Sequence, residues 1–478
     1  MPRTKIVATI GPASQSSEVM RALIGAGMDV ARINFSYGDR ATHAGTIAAL
    51  REAAREQGRR LAVMADLQGP KLRVGELPED GVNLVQGERV LLTLSPSSSK
   101  QIPVPHPQML RGLQAGQRVL LDDGRLELVV EGADGEGVRC RVVTGGRLVS
   151  HKGLNLPGAP PNLPVLTSKD REDVRFAVEQ GVDFIALSFV RSPRDVRELR
   201  ELLASLQGER SPTLPIVAKI EKAEALEAFD GILEEADAVM IARGDLGVET
   251  LPEDVPFHQK RIIGACNCVG KPAITATQML QSMMEWPTPT RAEASDVVNA
   301  ILDGTDAVML SGETAIGDYP VEALRMMVRI CASAELHLPK ERFLYETELS
   351  GSSTVTEAIS QATVEIAASV GAKAILTATM SGTTARMVAR HRPSVPVVAV
   401  TPNRRTLMLL KVVWGVTPIL VSHFATTDEM VAMMVRAAQE AGFAQKGDRV
   451  VLTAGIPFGG EGLTNMLKVH VVGESGEV

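Results

Sequence analysis

Four cysteines, Cys140, Cys266, Cys268 and Cys331, are scattered over 478 residues with no Cys-x-x-Cys pair and no histidines at zinc-ligand spacing. That excludes a disulfide framework and a structural zinc site as organisers of the fold, and reduced thiols in a reducing compartment are expected. No run of about 18 apolar residues is present to cross a bilayer. The opening stretch MPRTKIVATIG enters a strand pattern directly, without the apolar core and small-residue cleavage site of a secretory signal. A soluble, cytoplasmic protein with no membrane partner is therefore expected. A basic excess is missing as well: the formal net charge is -7, which argues against nucleic acid and for small-molecule partners. The chain also lacks a GxGxxG fingerprint and a nucleophile elbow, so nothing points to dinucleotide hydride chemistry or acyl transfer.

What the chain does have is length and turns. At roughly 150 residues per domain it should divide into about three domains. Its 42 glycines and 27 prolines suit many short elements. From residue 4 a unit recurs in which a short apolar run is followed by a break and a helical pattern. The runs are KIVATIG (5 to 11), VARINFS (30 to 36), LAVMADL (61 to 67), DFIALSF (183 to 189), PIVAKIE (215 to 221), AVMIARGD (238 to 245), PAITATQ (272 to 278) and AVMLSGE (307 to 313). Such a set of βα units, over roughly 250 residues, predicts a (β/α)8 TIM barrel. The barrel is assigned to residues 1–69 and 168–344.

The interruption at 70–167 alternates with period two in RLELVVEG and GVRCRVV and has a hairpin corner at Asp122-Asp123-Gly124. It predicts a small inserted β-barrel lid. Residues 345–478 show a second helix-strand alternation with strands such as AKAILTAT and VPVVAVTP. These are too apolar for a one-sided sheet, so a C-terminal α/β domain with a parallel sheet covered on both faces is expected.

Strand parity then assigns polar residues to faces. In VARINFS, Ala31, Ile33 and Phe35 belong to the helix-facing side, and Arg32, Asn34 and Ser36 to the barrel axis or rim. By the same rule Lys219 and Glu221 point inward, Arg243 shares a side with Asp245, Thr275 with Thr277, and Ser311 with Glu313. The C-terminal strand ends are where such barrels do their chemistry. Glu221 and Asp245 suit a hard divalent ion. Arg32, Arg73 and Lys219 are cations without evident mates, and the Gly244-Asp245 peptide at a helix start has free N–H groups for an anion. Carboxylates for a metal within a ring of cations indicate phosphoryl transfer.

These residues lie in motifs that closely resemble the pyruvate kinase family: KIVATIGPAS, ARINFSYG, AKIEKAEAL, MIARGDLGVE, KPAITATQML, PTRAEASDVVNAILDGTDAVMLSGETAIGDYP and SGTTARMVARHRP, together spanning nearly the whole chain. The resemblance implies phosphoryl transfer from phosphoenolpyruvate to ADP, giving pyruvate and ATP, with Mg²⁺ or Mn²⁺. It implies that Glu221 and Asp245 hold the divalent ion, that Arg32 and Arg73 hold the transferring group, and that Lys219 stabilises that group and the enolate. Thr277 and the Gly244-Asp245 amides would hold the substrate carboxylate, with Thr277, Ser311 and Glu313 on the route that protonates the enolate. Lys169 and Arg73 would reach the nucleotide. The loop Ser381, Gly382, Thr383 and Thr384 would bind the phosphate of an allosteric effector, and a homotetramer is implied. Met380, where bisphosphate-activated members often have lysine, favours a sugar monophosphate or AMP as effector.

Two departures stand out. Tyr37 replaces a frequent histidine. In ADLQGPKLRVG, Lys71 stands where many members have glutamate. Members that need K⁺ bind it through residues matching Asn34, Ser36, Asp66 and the carbonyl of Leu67. An ammonium about 4 Å from an anion supplies ~4 kcal/mol at an effective dielectric near 20. Lys71 is therefore expected to act as an internal cation that makes K⁺ unnecessary. Two rivals stay open on the sequence alone: a metal-dependent 2-oxo acid lyase or aldolase on the same barrel, and a catalytically inactive sensor of sugar phosphates.

Overall fold

The computed structural model describes residues 2–94, 101–105, 113–134, 137–158, 164–208, 213–338, 343, 354–456 and 463–473. Three strands open the chain, β1 (Lys5–Ile10), β2 (Val30–Asn34) and β3 (Ala62–Asp66). Eight more belong to the insertion: β4 (Val82–Leu84), β5 (Arg89–Thr93), β6 (Gln101–Pro103), β7 (Arg118–Leu121), β8 (Leu126–Asp134), β9 (Gly137–Thr144), β10 (Gly146–Leu148) and β11 (Leu154–Asn155). The chain then returns with β12 (Phe184–Leu187), β13 (Ile216–Ile220), β14 (Ala238–Ala242), β15 (Ala273–Ala276) and β16 (Ala307–Leu310). The first three and last five of these close a parallel barrel in the order β1-β16-β15-β14-β13-β12-β3-β2, sealed where Lys5 pairs with Ala307.

Period-two alternation divides each barrel strand between two cores. Ala31, Ile33 and Phe35 join the layer under the helices, with Leu23, Ile47 and Leu50. Val7, Val30, Met64, Val217, Met240 and Met309 fill the interior. The helices start where local chemistry directs: Thr167 and Thr290 each form a capping box, with Asp170 and Glu293 returning the bond.

In the insertion, a six-stranded sheet of order β11-β7-β8-β9-β5-β6 and the pair β10-β4 surround an apolar core that includes Val90, Leu92, Leu128 and Val142. The corner between β7 and β8 has Asp122, Asp123 and Gly124 at φ of 50°, 54° and 85°, a left-handed turn that aspartate and glycine tolerate best.

The C-terminal strands are β17 (Ala374–Ala378), β18 (Val397–Thr401), β19 (Val416–Leu420), β20 (Arg449–Ala454) and β21 (Met466–Val471), in the order β19-β18-β17-β20-β21. The expected cover on both faces is present: Met430 and Met434 pack one side, Val364, Ala385 and Val388 the other. The sheet is not wholly parallel, however. β21 runs antiparallel to β20. β20 and β21 are neighbours of opposite direction, so the chain reverses between Ala454 and Met466 instead of crossing over.

One C-terminal segment positions the barrel. Leu407, Met408, Leu409 and Val412 belong to the same buried cluster as the interior side chains and plug the N-terminal end. Lys5 Nζ adds a 2.8 Å bond to the Val416 carbonyl. Among the described residues no helix is long and apolar enough to cross a membrane.

Candidate functional site

At the opposite, C-terminal end of the barrel, buried charges compensate one another. Arg32, on β2, donates from Nε to Asp66 Oδ2 at 2.6 Å and from Nη1 to Thr9 Oγ1 at 2.8 Å. Lys219, on β13, lies 3.1 Å from Asp66 Oδ1, 2.6 Å from Ser188 Oγ and 2.9 Å from Glu221 Oε1. Glu221 Oε2 accepts the Phe189 amide at 2.7 Å. Taking such charges out of water is costly unless each is matched, and the ionisation equilibria record both effects. Burial opposes the charge of Asp66, but Arg32 and Lys219 hold its carboxyl below the usual range. Burial likewise opposes the Lys219 ammonium, but Asp66 and Glu221 keep it above the ordinary lysine value. Glu221 is raised, first by burial and then by the charge of Asp245, with Lys219 opposing.

Asp245 is in the first turn of the short helix Arg243–Glu249. It faces Lys71 across the seam to the insertion, with Oδ1 at 3.7 Å from Nζ. Glu221 and Asp245 thus form a two-carboxylate oxygen set. No group of three or more His, Cys, Asp or Glu side chains suited to a metal exists among the described residues. Two carboxylates of like charge, one destabilised by the other, fit a hard divalent ion that takes its remaining ligands from substrate and water.

Thr277 has φ of 69°. Its Oγ1 accepts the Gly244 amide at 2.7 Å and donates to the Ala276 carbonyl at 2.6 Å. Glu313 is fully buried and accepts the Leu280 and Ser311 amides at 3.0 and 2.8 Å. Ser311 Oγ is buried with no partner among the described residues.

Other expected residues are held further out. Arg73 is fastened to the insertion: its backbone bridges to Gly153 and its Nη1 donates to the His151 carbonyl at 2.9 Å. No bond joins it to Arg32 or Lys219. Lys169 Nζ binds Asp173 Oδ2 at 2.6 Å and the Phe35 carbonyl at 2.7 Å, which puts it next to the end of β2. Of the residues matched to a K⁺ site, Asn34 Oδ1 accepts the Ser36 amide at 3.0 Å, Asp66 is engaged as above, and the Leu67 carbonyl accepts Ser188 Oγ at 2.7 Å.

In the C-terminal loop, Ser381 and Thr383 hydroxyls are 3.0 Å apart at the surface. The Gly382 amide donates to Thr379 Oγ1 at 2.9 Å, and Thr384 is buried 2.9 Å from Thr464 Oγ1. All four loop positions therefore already make bonds within the domain, and the Ser381–Thr383 pair is the one that lies at the surface.

Three sequence expectations need correction. Thr275 faces the helix layer, where its Oγ1 lies 2.9 Å from Thr305 Oγ1, because Ile274 and Ala276 occupy the interior. Arg243 is not an inward strand residue: β14 ends at Ala242, and Arg243 begins a helix, binding Asp296 at 2.8 Å and the Thr277 carbonyl at 2.9 Å. Arg32 and Lys219, expected to lack mates, are ion-paired, Arg32 with Asp66 and Lys219 with Asp66 and Glu221, because the closed barrel brings the ends of β2, β3 and β13 around one axis. Thr9 and Ser188 were not singled out, although they share parity with interior Val7 and Ala186, a signal that could have found them.

Family models match this chain twice: "Pyruvate kinase, barrel domain" over residues 1–324 and "Pyruvate kinase, alpha/beta domain" over 357–470. A pyruvate kinase of Geobacillus stearothermophilus is 46% identical over 476 residues, 99% of this chain and 81% of the relative. One from Clostridium acetobutylicum is 42% identical over 475 residues, 99% of this chain and 100% of the relative. The crystal structure of a pyruvate kinase from Cryptosporidium parvum superposes with a TM-score of 0.92 at 36% identity, covering 98% of this chain and 96% of that one. A barrel with paired carboxylates and matched cations at its C-terminal end, alike in sequence and in fold to these enzymes, places the chain in the pyruvate kinase family.

Proposed function

We propose that the C-terminal end of the barrel transfers the phosphoryl group of phosphoenolpyruvate to ADP, and that the observation carrying this reading is the Lys219 cluster. One ammonium within 3.1 Å of Asp66, Ser188 and Glu221 is a preorganised cation that needs no reorganisation when negative charge develops beside it. Lys219 bears on the transferring group and on the enolate left behind, and Arg32, held rigid by Asp66 and Thr9, orients the phosphoryl oxygens. Gly244 and Thr277 bind the substrate carboxylate once their mutual bond opens. The orphaned Ser311 hydroxyl, with Glu313 fixing the turn beneath it, suits a water that delivers the proton to the enolate carbon, with Thr277 beside it. Glu221 and Asp245 would hold Mg²⁺ or Mn²⁺, which supplies Lewis-acid stabilisation of phosphoryl charge. Arg73 and Lys169 serve the nucleotide, with Arg73 carried inward by the insertion.

Further parts of the reading stand with this one. The chain divides into a barrel of residues 1–69 and 168–344, a lid of 70–167 and an effector domain of 345–478, and it works in the cytoplasm. Lys71, 3.7 Å from Asp245, is the internal cation that replaces K⁺. The exposed hydroxyls of Ser381 and Thr383 are the part of their loop open to an effector phosphate, a sugar monophosphate or AMP. A homotetramer would cover exposed apolar residues such as Phe257 and Trp286. The central claim is checked by coupled measurement of pyruvate formation with and without ADP, in the unmodified enzyme and in Asp245→Asn. Turnover that requires ADP and Mg²⁺ and is lost in the variant is expected. Near-normal turnover in the variant at moderate Mg²⁺ would remove Asp245 from the metal set.

A further inference from the structure

Arg243 lies outside the set of residues that face substrate, yet its guanidinium spans two elements of the site. The side chain is 9% exposed. Nη1 donates to Asp296 Oδ1 at 2.8 Å and to Gln259 Oε1 at 3.3 Å, and Nη2 donates to the Thr277 and Gln278 carbonyls at 2.9 and 3.4 Å. Nε is buried and has no partner among the described residues. A buried N–H without a partner is destabilising, so satisfying its own donors does not explain where the group sits. What it supports is an unfavourable backbone. Thr277 and Gln278 follow one another at φ of 69° and 54°, a left-handed pair that a β-branched threonine adopts only under strain. Such strain persists where the surroundings hold it in place. Here they hold it from both ends, Arg243 on the Thr277 carbonyl and Glu313 on the Leu280 amide at 3.0 Å.

Consecutive residues at the start of the helix Arg243–Glu249 therefore grip different atoms of Thr277: the Arg243 side chain holds its carbonyl and the Gly244 amide holds its Oγ1 at 2.7 Å. The next residue is Asp245, one of the two carboxylates assigned to the metal. The Gly244 bond must open when Thr277 meets substrate, but the Arg243 bond can stay closed throughout. We propose that Arg243 is a positioning residue, which holds the strained Thr277 backbone in register with Asp245 so that the hydroxyl released by Gly244 stays aimed at the enolate. This rests on the placing of Thr277 beside the proton route. Arginine suits the task because its planar fork reaches a carboxylate and a carbonyl at once, which a single ammonium on a flexible stem does not do with fixed geometry. Asp296, on the helix Arg291–Asp303, anchors the far side of the fork.

Running the last step backwards isolates it from phosphoryl transfer. In D₂O with Mg²⁺, the full-length enzyme exchanges the methyl protons of pyruvate through the enolate, and proton NMR follows the loss of the methyl signal. The same measurement is made on Thr277→Ala, Arg243→Met, Arg243→Lys and the double variant Arg243→Met/Thr277→Ala. Exchange is expected to fall about 10²-fold in Arg243→Met and at least as far in Thr277→Ala. The double variant should be no slower than Thr277→Ala alone, since Arg243 acts through Thr277. Losses that multiply in the double variant, or normal exchange in Arg243→Met, overturn the positioning role. Normal exchange in Thr277→Ala takes Thr277 off the proton route, and the inference falls with it. Arg243→Lys keeps a cation beside Asp296 and loses the fork, so it should fold even if Arg243→Met does not, and its exchange should still fall about tenfold. Hydrogen-deuterium exchange mass spectrometry of the metal-free protein reads the backbone without turnover. The amides of residues 277–280 should exchange about tenfold faster in both Arg243 variants, and unchanged protection there overturns the proposal.

Discussion

Two lysines at opposite ends of one barrel have opposite fates. Lys219, at the C-terminal end, is buried against Asp66 and Glu221 and is held above the ordinary lysine value although burial works against its charge. Lys411 follows the plug helix at the N-terminal end. There burial pushes it down to about 8, Asp29 opposes only in part, and Lys5, Arg59 and Arg60 add to the fall. Burial is common to both, so the partners decide the sign. One end concentrates matched charges, Arg32 and Lys219 against Asp66 and Glu221. The other is closed by Leu407, Met408, Leu409 and Val412 and tolerates a cation only at a cost. Function at the first end and stability at the second is the division expected of a barrel whose strands all run the same way.

The largest effect should come from breaking the charged end. Lys219→Met is expected to lower kcat about 10³-fold with far less change in phosphoenolpyruvate binding, since the ammonium matters most as the phosphoryl group and enolate separate. It should also lower Tm, because Asp66 and Glu221 lose a buried partner. Steady-state kinetics beside calorimetric melting reads both, and a change confined to KM would contradict the assignment.

At the other end, Leu407→Ala should cost ~2–5 kcal/mol of stability through the cavity it opens, with kcat per folded molecule nearly unchanged. Denaturant unfolding followed by active-site titration checks this. A kcat loss as large as that of Lys219→Met would mean that the two ends are not separable.

A smaller effect concerns Lys71. Initial rates in tetramethylammonium buffer should rise little when KCl is added at constant ionic strength. In Lys71→Glu the same addition should raise the rate about tenfold or more, consistent with an attraction of a few kcal/mol from the ammonium. A large K⁺ response in the unmodified enzyme would refute the internal cation.

The smallest concerns Lys411. Its folded value of about 8 is below the 10.5 of the free side chain, so between those pH values the unfolded chain binds more protons and stability rises with pH. Lys411→Met should remove that slope and leave the protein as stable or ~1 kcal/mol more stable near pH 7. Melting curves between pH 7 and 10.5 provide the comparison.

Much of the site was legible because strand alternation is strict. Arg32, Lys219 and Glu221 fell on the interior face together with Val30 and Val217, and their outward neighbours Ala31, Ile33, Ala218 and Ile220 joined the helix layer. Parity failed where the backbone leaves the strand. The positive φ of Thr277 breaks the alternation, so counting back from it reverses Thr275. At Ala242 the strand passes into a helix, which turns Arg243 toward Asp296. The antiparallel β21 was hidden for another reason: strand direction depends on the connection, and an apolar run carries no sign of which way it will pair.

The sequence by itself determined the repeated βα units, the insertion between the third and fourth barrel strands, the separate C-terminal sheet and the family, because periodicity, turn residues and long motifs are local properties of a chain. Only the tertiary structure decided which charges meet. Asp66 and Lys219 are 153 positions apart and touch, Lys71 finds Asp245 across a domain seam, and Leu407 closes a barrel that begins at Lys5. Ion pairing and burial fall off over a few ångströms of space, and separation along the chain does not set that distance.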